Sequence, residues 1–334
     1  MGKHGKHKSK KRDILRIVLI VLAVICVVSS GLLFLQIWEK QQGIYTAGEA
    51  QQETAVTYNG TEYVLKDNIE TFLVMGLDTF GDTSDSDSYN NDQQADFLML
   101  FVLDNEAKKC TAIHINRDTM AKLNILGVNG NKIDTVVKQI ALSHTQGNGK
   151  DVSCHNTADA VSELLLGIKV NHYMSVTMDA VSIFNDLVGG VPVTVQDDFT
   201  GVDDTLIQGQ EVLLKGEHAL NYVRSRYGLD DSTNNTRMKR QQQYVEALYK
   251  KTLQCIDADS DFIAKASVKL SDYIVTDRSV TQLQSLVNKF SEYEFSEMIS
   301  FEGESKIEDQ HVAFYPDENS IRETVMELFY EPKK

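Results

Sequence analysis

Polar and apolar positions change character several times along the chain. Residues 17–35 carry no charge, and Ser29 and Ser30 are almost their only polar members. Nineteen such residues wound as a helix rise about 28 Å, close to the roughly 30 Å hydrocarbon core of a bilayer. The pattern predicts a membrane-spanning helix over 17–38, with Trp38 at the interface. A cleaved signal peptide is the competing reading, but its apolar region normally covers about 7–15 residues. Residues 39–62 are polar without a sustained period and read as a stalk. The domain is expected over 63–334. Short apolar or alternating runs at 71–77, 96–103, 110–115, 173–178 and 191–195 predict strands, several apolar throughout and so covered on both faces. Apolar spacings of three and four predict helices over 136–143, 157–166, 179–188, 237–253, 280–293 and 316–329. Gly167 and Gly189-Gly190 mark two of the stops. The interleaving predicts an α/β fold, an α/β/α sandwich around a central mixed sheet.

Charge orients this picture. Residues 1–40 hold eight basic and two acidic side chains, a net +6, which leaves about −21 of the formal −15 for the remainder. The basic tail over 1–16 sets the amino end in the cytoplasm by the positive-inside bias, so the expected location is the cell membrane, single-pass, with the domain outside. A strongly acidic domain argues against nucleic acid as a partner. Of four cysteines, Cys26 lies in the expected span; Cys110, Cys154 and Cys255 fit no disulfide scaffold and read first as core residues, with one disulfide as the alternative. A zinc site from Cys110, His114, Cys154 and His155 lacks the usual ligand spacing.

Against that acidic background the segment YVRSRYGLDDSTNNTRMKRQQQ is distinctive, supplying Arg224, Arg226, Arg237, Lys239 and Arg240. Residues 222–226 read as extended or as a helix end; in the extended case Arg224 and Arg226 share a side, while Arg237 and Arg240 share a helix face. Converging guanidinium groups suit a diphosphate; a solvated basic face pairing with Asp230 and Asp231 is the plainer reading. Asp78 follows one expected strand and Asp96 opens the next. Both carboxylates at one sheet edge would suit Mg²⁺ completed by water and phosphate oxygens, or each caps a loop. Arg117 in Arg117-Asp118-Thr119 also follows a strand, as a site residue or a structural ion pair. The acid-rich loop between Asp78 and Asp96 places Asp85, Asp87 and Asp96 near EF-hand positions, but lacks the sixth-position Gly and the final Glu. It reads as a solvated loop.

Taken in order, FLVMGLD (72–78), ADFLMLFVLD (95–104), INRDT (115–119), NKID (131–134), LVGGVPVTV (187–195), LKGEHALNYVRSRY (214–227) and RMKRQQQ (237–243) resemble the LytR-CpsA-Psr family of cell-envelope phosphotransferases. The resemblance implies transfer of a glycopolymer from undecaprenyl pyrophosphate to a peptidoglycan sugar through a phosphodiester, with release of undecaprenyl phosphate. The implied partners are a polyprenyl-pyrophosphate-linked glycan, a peptidoglycan acceptor and the membrane. Asp78 and Asp96 would hold Mg²⁺ or Mn²⁺. Arg117, Arg224, Arg226, Arg237 and Arg240 would grip the diphosphate with Gln241 beside them, and Asp96, Arg117 and Arg224 would be catalytic. Where the family commonly carries an Arg after the first Asp and another two residues before the second, this chain has Thr79-Phe80-Gly81 and Gln94. A hydrolase on the same site and a non-catalytic glycolipid-binding or signalling module are the alternatives.

Overall fold

The computed structural model describes residues 55–81, 83, 91–225, 234–308 and 310–333. The expected tail and span over 1–38, the calls on Asp85 and Asp87, and Arg226 lie outside these residues. Among the described residues no helix is long and apolar enough to cross a membrane.

The described chain begins with a hairpin, β1 (Ala55–Tyr58) and β2 (Thr61–Leu65). Asn59 and Gly60 join them with φ of 49° and 78°, the positive pair that a two-residue hairpin turn matching strand twist requires. Tyr63, the expected first residue of the domain, lies inside β2 of this hairpin. The strands β3 (Ile69–Leu77), β4 (Ala95–Asp104) and β5 (Lys109–Ile115) follow, then a separate antiparallel hairpin of β6 (Met120–Leu126) and β7 (Lys132–Gln139). The helix expected over 136–143 is thus a strand followed by a single 3-10 turn, Ile140–Ser143. The β-branched run Thr135-Val136-Val137 pairs with Asn124-Leu123-Lys122, and this pairing overrides the spacing of apolar residues that resembled a helix.

The remaining elements are α1 (Asp151–Leu164), β8 (His172–Val176), α2 (Met178–Leu187), β9 (Val191–Thr194), β10 (Glu211–Leu214) and α3 (Glu217–Arg224). After them come α4 (Asn234–Ala258), α5 (Phe262–Leu270), β11 (Ile274–Thr276), α6 (Val280–Phe290) and β12 (Glu294–Ile299). The chain closes with β13 (Gly303–Glu308), β14 (His311–Pro316), α7 (Glu318–Phe329) and β15 (Tyr330–Pro332), the last pairing with β2. The central mixed sheet has the order β11-β8-β3-β4-β5-β12. Within it β8 runs parallel to β3 and β12 parallel to β5, the other pairs being antiparallel.

Alternation along β3 builds two different layers. Leu73, Met75 and Leu77 are fully buried in one core with Cys154, Ala158 and Val161 of α1 and Ile321, Val325 and Phe329 of α7. The opposite row, Phe72, Val74 and Gly76, faces cavities walled by α2, α4, α5 and α6. Helices therefore cover both faces, the layered arrangement expected from the sequence. Cys110, Cys154 and Cys255 are free thiols, the first two buried and Cys255 half-buried. Cys154 lies within 3.4 Å of Ser175 Oγ on the α1 side of the sheet, whereas Cys110 lines a cavity on the other.

Candidate active site

Four adjacent strands meet at one edge of the sheet. Gly76 lies opposite Val176, Leu77 opposite Ala95, and Leu98 opposite Ile115, so Thr177, Asp78, Asp96 and Arg117 follow in a row along this edge. The crevice outside the carboxyl ends of parallel strands is where open α/β sheets collect ligands. Between Gly76/Leu77 and Phe97/Ala95 the register shifts, leaving Asp96 as the extra residue of a bulge. Bulges re-aim side chains next to sites.

Asp96 is the hub. It is only 9% exposed and pairs through Oδ1 with Nη1 of Arg117 and through Oδ2 with Nη1 of Arg237 at 3.5 Å. Arg117 also donates from Nη2 to Gln94 Oε1 at 2.7 Å, and its Nε lies 3.3 Å from Asp118 Oδ1. Arg237 donates from Nε to Asn234 Oδ1 at 2.8 Å, and Asn234 in turn donates to Asn116 Oδ1 at 2.8 Å. Burying any one of these charges alone would cost several kcal/mol; together they form a fixed, mutually compensated group whose guanidinium planes are pre-aimed.

Asp78 and Arg224 form a second pair, Nη2 to Oδ1 at 3.1 Å, with side chains 41% and 48% exposed. A pair this exposed is worth at most about 1 kcal/mol, so Arg224 can exchange its partner at little cost. Its guanidinium also sits over the Phe80 ring, 5.3 Å from the centroid. Arg224 is the last residue of α3, the helix end that is one of the two expectations for its segment. Gln241 donates to the Val223 carbonyl at 3.1 Å, and burial and then Arg237 lower the pKa of His114 to about 3.

Arg240 departs from expectation. It is almost fully buried, and its donors are taken by the Asp197 carboxylate, the Tyr222 carbonyl at 2.9 Å and the Ser225 carbonyl. Three residues along a helix rotate the side chain about 300°. Arg240 therefore points about 60° away from Arg237, and it ties α4 to the end of α3 instead of lining the pocket.

Asp96, Arg224, Arg237, Gln241 and Thr177 line one end of a cavity of about 360 Å³. Beyond them its walls are apolar, from Val74 and Met174 of the sheet to Phe184, Leu248, Leu270 and Leu283 of the helices. A second cavity of about 590 Å³ shares Val74, Met174, Phe184, Leu248 and Leu283 and continues to Phe72, Phe101 and Phe290. Protein interiors are close-packed with few voids larger than a water molecule. Volumes of this size belong to the range of ligand sites: two adjoining apolar cavities with shared walls, the first also lined by Arg224 and Arg237 and so forming a lumen with an arginine-bearing mouth.

Among the described residues no group of three or more His, Cys, Asp or Glu side chains could hold a metal. Asp78 and Asp96 nevertheless offer hard oxygen donors, and one or two carboxylates with water and phosphate oxygens suffice for Mg²⁺.

A family model described as the LytR_cpsA_psr family matches residues 32–329. The chain belongs to the LytR-CpsA-Psr family. A relative from Enterococcus faecalis, named polyisoprenyl-teichoic acid–peptidoglycan teichoic acid transferase TagU, is 25% identical over 283 residues, covering 83% of each chain. The cell wall biosynthesis protein LcpA of Corynebacterium glutamicum is 30% identical over 174 residues, 47% of this chain and 33% of that one. Among solved structures, TagT of Bacillus subtilis superposes with a TM-score of 0.59 at 19% identity, over 85% of this chain and 97% of that one. A TagT structure bound to LIIa-WTA gives 0.59 at 20% identity, over 78% and 90%. At these identities the structural likeness establishes the fold.

Sequence reasoning did not single out Gln94, Asn234, His114 or Thr177 for the site. Asn234 stands three residues before Arg237, the spacing at which side chains on one helix face meet, and that signal was readable. Gln94 and His114 acquire their roles from strand register and the bulge, which the linear pattern does not contain.

Proposed function

We propose that this LytR-CpsA-Psr protein transfers a glycopolymer from a polyprenyl pyrophosphate carrier, of the undecaprenyl type, to a peptidoglycan sugar hydroxyl, forming a phosphodiester and releasing the polyprenyl monophosphate. The observation that carries the reading is the buried Asp96–Arg117–Arg237 cluster at the mouth of an apolar lumen. An anionic head with a long hydrocarbon tail matches both parts at once. The name of the E. faecalis relative, a polyisoprenyl-teichoic acid–peptidoglycan teichoic acid transferase, supports the same substrate class.

In this reading Arg117 and Arg237 hold the transferred phosphate and Arg224 leaves Asp78 to join them, with Gln241 positioned beside them; Arg226 is assigned to the same diphosphate by the family resemblance. Phosphoryl transfer is accelerated chiefly by positioning and by charge neutralisation, and preorganised donors cost no rearrangement when charge develops. Three guanidinium groups, Arg117, Arg224 and Arg237, face three carboxylates, Asp78, Asp96 and Asp118. A diphosphate entering so balanced a pocket calls for added positive charge. Asp78 and Asp96 would hold Mg²⁺ or Mn²⁺, which when bound would supply it. The expected membrane anchor over 17–38, with the domain outside the cell, would set the lumen beside its lipid substrate.

The test supplies the full chain with Mg²⁺ and a polyprenyl-pyrophosphate glycan and follows release of polyprenyl monophosphate with and without an acceptor glycan. Release that depends on acceptor supports transfer; equal release without it marks a hydrolase. Arg117→Ala and Asp96→Ala should each reduce turnover more than tenfold, roughly what removal of one electrostatic partner costs. Unchanged turnover in either removes the site assignment.

A further inference from the structure

Thr177 follows β8 directly and occupies the N-cap position of α2. A threonine there ordinarily accepts a hydrogen bond from the second or third amide of its helix. This one makes no cap bond. The residue is fully buried and its Oγ1 has no hydrogen-bond partner, a condition native interiors avoid unless something else supplies the partner. Thr177 also lines the cavity wall, together with Met178, Ala180, Asp96, Arg224 and Arg237.

The helix start lies at the edge that carries the arginine cluster. Val176 is paired with Gly76, and the Met178 amide donates to the Thr79 carbonyl at 2.9 Å, which sets the first turn of α2 beside Asp78. The Asp179 carboxylate is committed elsewhere, accepting from the Gly81 amide at 2.6 Å. A helix N-terminus carries about half a positive charge and outward-facing amides, which suit a phosphate. From that end α2 continues along the cavity, with Val181 and Phe184 forming part of the apolar wall. A phosphate seated at the first turn thus has its hydrocarbon ester led along the same helix into the lumen.

We propose that the first turn of α2, with the Thr177 hydroxyl, is the subsite for the lipid-side phosphate, the one that departs. The inference rests on the polyprenyl-diphosphate donor argued above and divides its two phosphates between two sets of donors. Arg117 and Arg237 take the sugar-side phosphate, and α2 takes its neighbour. In the reaction the acceptor hydroxyl oxygen bonds to the sugar-side phosphorus. The bond from that phosphorus to the bridging oxygen breaks, its electron pair leaves on the lipid monophosphate, and the hydroxyl proton passes to water. Negative charge grows on the lipid-side phosphate as this happens, and a helix N-terminus stabilises that developing charge.

The experiment measures binding of polyprenyl monophosphate, and of the corresponding polyprenyl alcohol, to the full chain and to Thr177→Val, Thr177→Ala and Thr177→Ser. Val and Ala should weaken monophosphate binding about tenfold, the loss expected for one hydrogen bond to a charged group. Alcohol binding should be unchanged, and Ser should restore the monophosphate affinity. Monophosphate affinity that is unaltered in both Val and Ala, or that falls equally with that of the alcohol, overturns the subsite while leaving the donor assignment intact. A wild-type chain that binds polyprenyl diphosphate no better than the alcohol overturns the donor assignment and the subsite together.

Discussion

Ala266 offers a direct test of whether the lumen exists to be filled. It is buried on α5 and lines the 360 Å³ cavity together with Ile263 and Leu270 of the same helix. In a solidly packed core, Ala266→Phe would force neighbours apart at about 1–3 kcal/mol. Projecting into an apolar void, the ring instead gains the burial of an aromatic side chain, about 1.5–3 kcal/mol. At roughly 2–4 °C per kcal/mol for a chain of this size class, the ligand-free variant should melt about 3–12 °C higher. The same ring displaces lipid. One isoprenyl unit has five carbons, and at about 0.8 kcal/mol for each buried CH₂ its exclusion removes up to about 4 kcal/mol, so affinity for a polyprenyl diphosphate should fall between about tenfold and a thousandfold. Binding of inorganic pyrophosphate, which never enters the lumen, should stay as it was. Thermal unfolding, lipid titration and mass spectrometry of co-purified lipid read the three effects separately. A variant that melts lower and keeps its lipid affinity would refute the argument, because it would show Ala266 packed against solid protein and the lipid elsewhere.

Arg240→Ala should leave Asp197 buried without its partner and cost about 3–5 kcal/mol in unfolding free energy, most of which the double variant with Asp197→Asn should recover; a variant with unchanged melting and lost diphosphate binding would return Arg240 to the pocket. Acid should act through two buried histidines, His114 with its pKa lowered to about 3 by burial and then Arg237, and His144 with its pKa lowered to about 4 by burial. Because the unfolded chain protonates these groups near pH 6.5 and the folded one resists, their stability contribution is complete above about pH 6.5. It falls as pH drops toward 4, by up to about 1.4 kcal/mol per pH unit for each. His114→Gln should flatten that dependence in urea titrations at pH 4.5 and 7, and an equally steep profile would remove His114 as its source.

The legible parts of the sequence were those where one local rule dominates. The all-apolar strands at the centre of the sheet and the glycine stops after two helices emerged close to their expected places, because burial on both faces and left-handed backbone leave compositional marks. The hairpin at Asn59-Gly60 was equally marked by its dipeptide between two alternating segments, yet the polar surroundings read as a stalk. The helix expected over 136–143 failed for a different reason: Val136 and Ile140 stand four apart, a spacing that both a helix and a strand running into a 3-10 turn can display. For the candidate site, residue types and strand-end positions were readable at Asp78, Asp96 and Arg117, because a charged residue at the close of an apolar run has few other uses. Partner choice was not readable. Arg237 and Arg240 look equivalent in the sequence, and 60° of helix rotation sends one to Asp96 and the other to Asp197. The bulge that presents Asp96 depends on register with β3, a relation between segments separated by the acidic loop.

The two rows of β3 divide the tolerance of the protein to change. Swaps at Leu73, Met75 or Leu77 will surface as poor yield and early melting, whatever the assay was built to detect. Enlarging Val74 or trimming Phe72 on the reverse side should pass a folding screen and, under the proposed function, surface only as a change in which polyprenyl donors the cavities admit. A single nine-residue strand thus carries both a maintenance ledger and a specificity dial, and redesign of the second can proceed without disturbing the first.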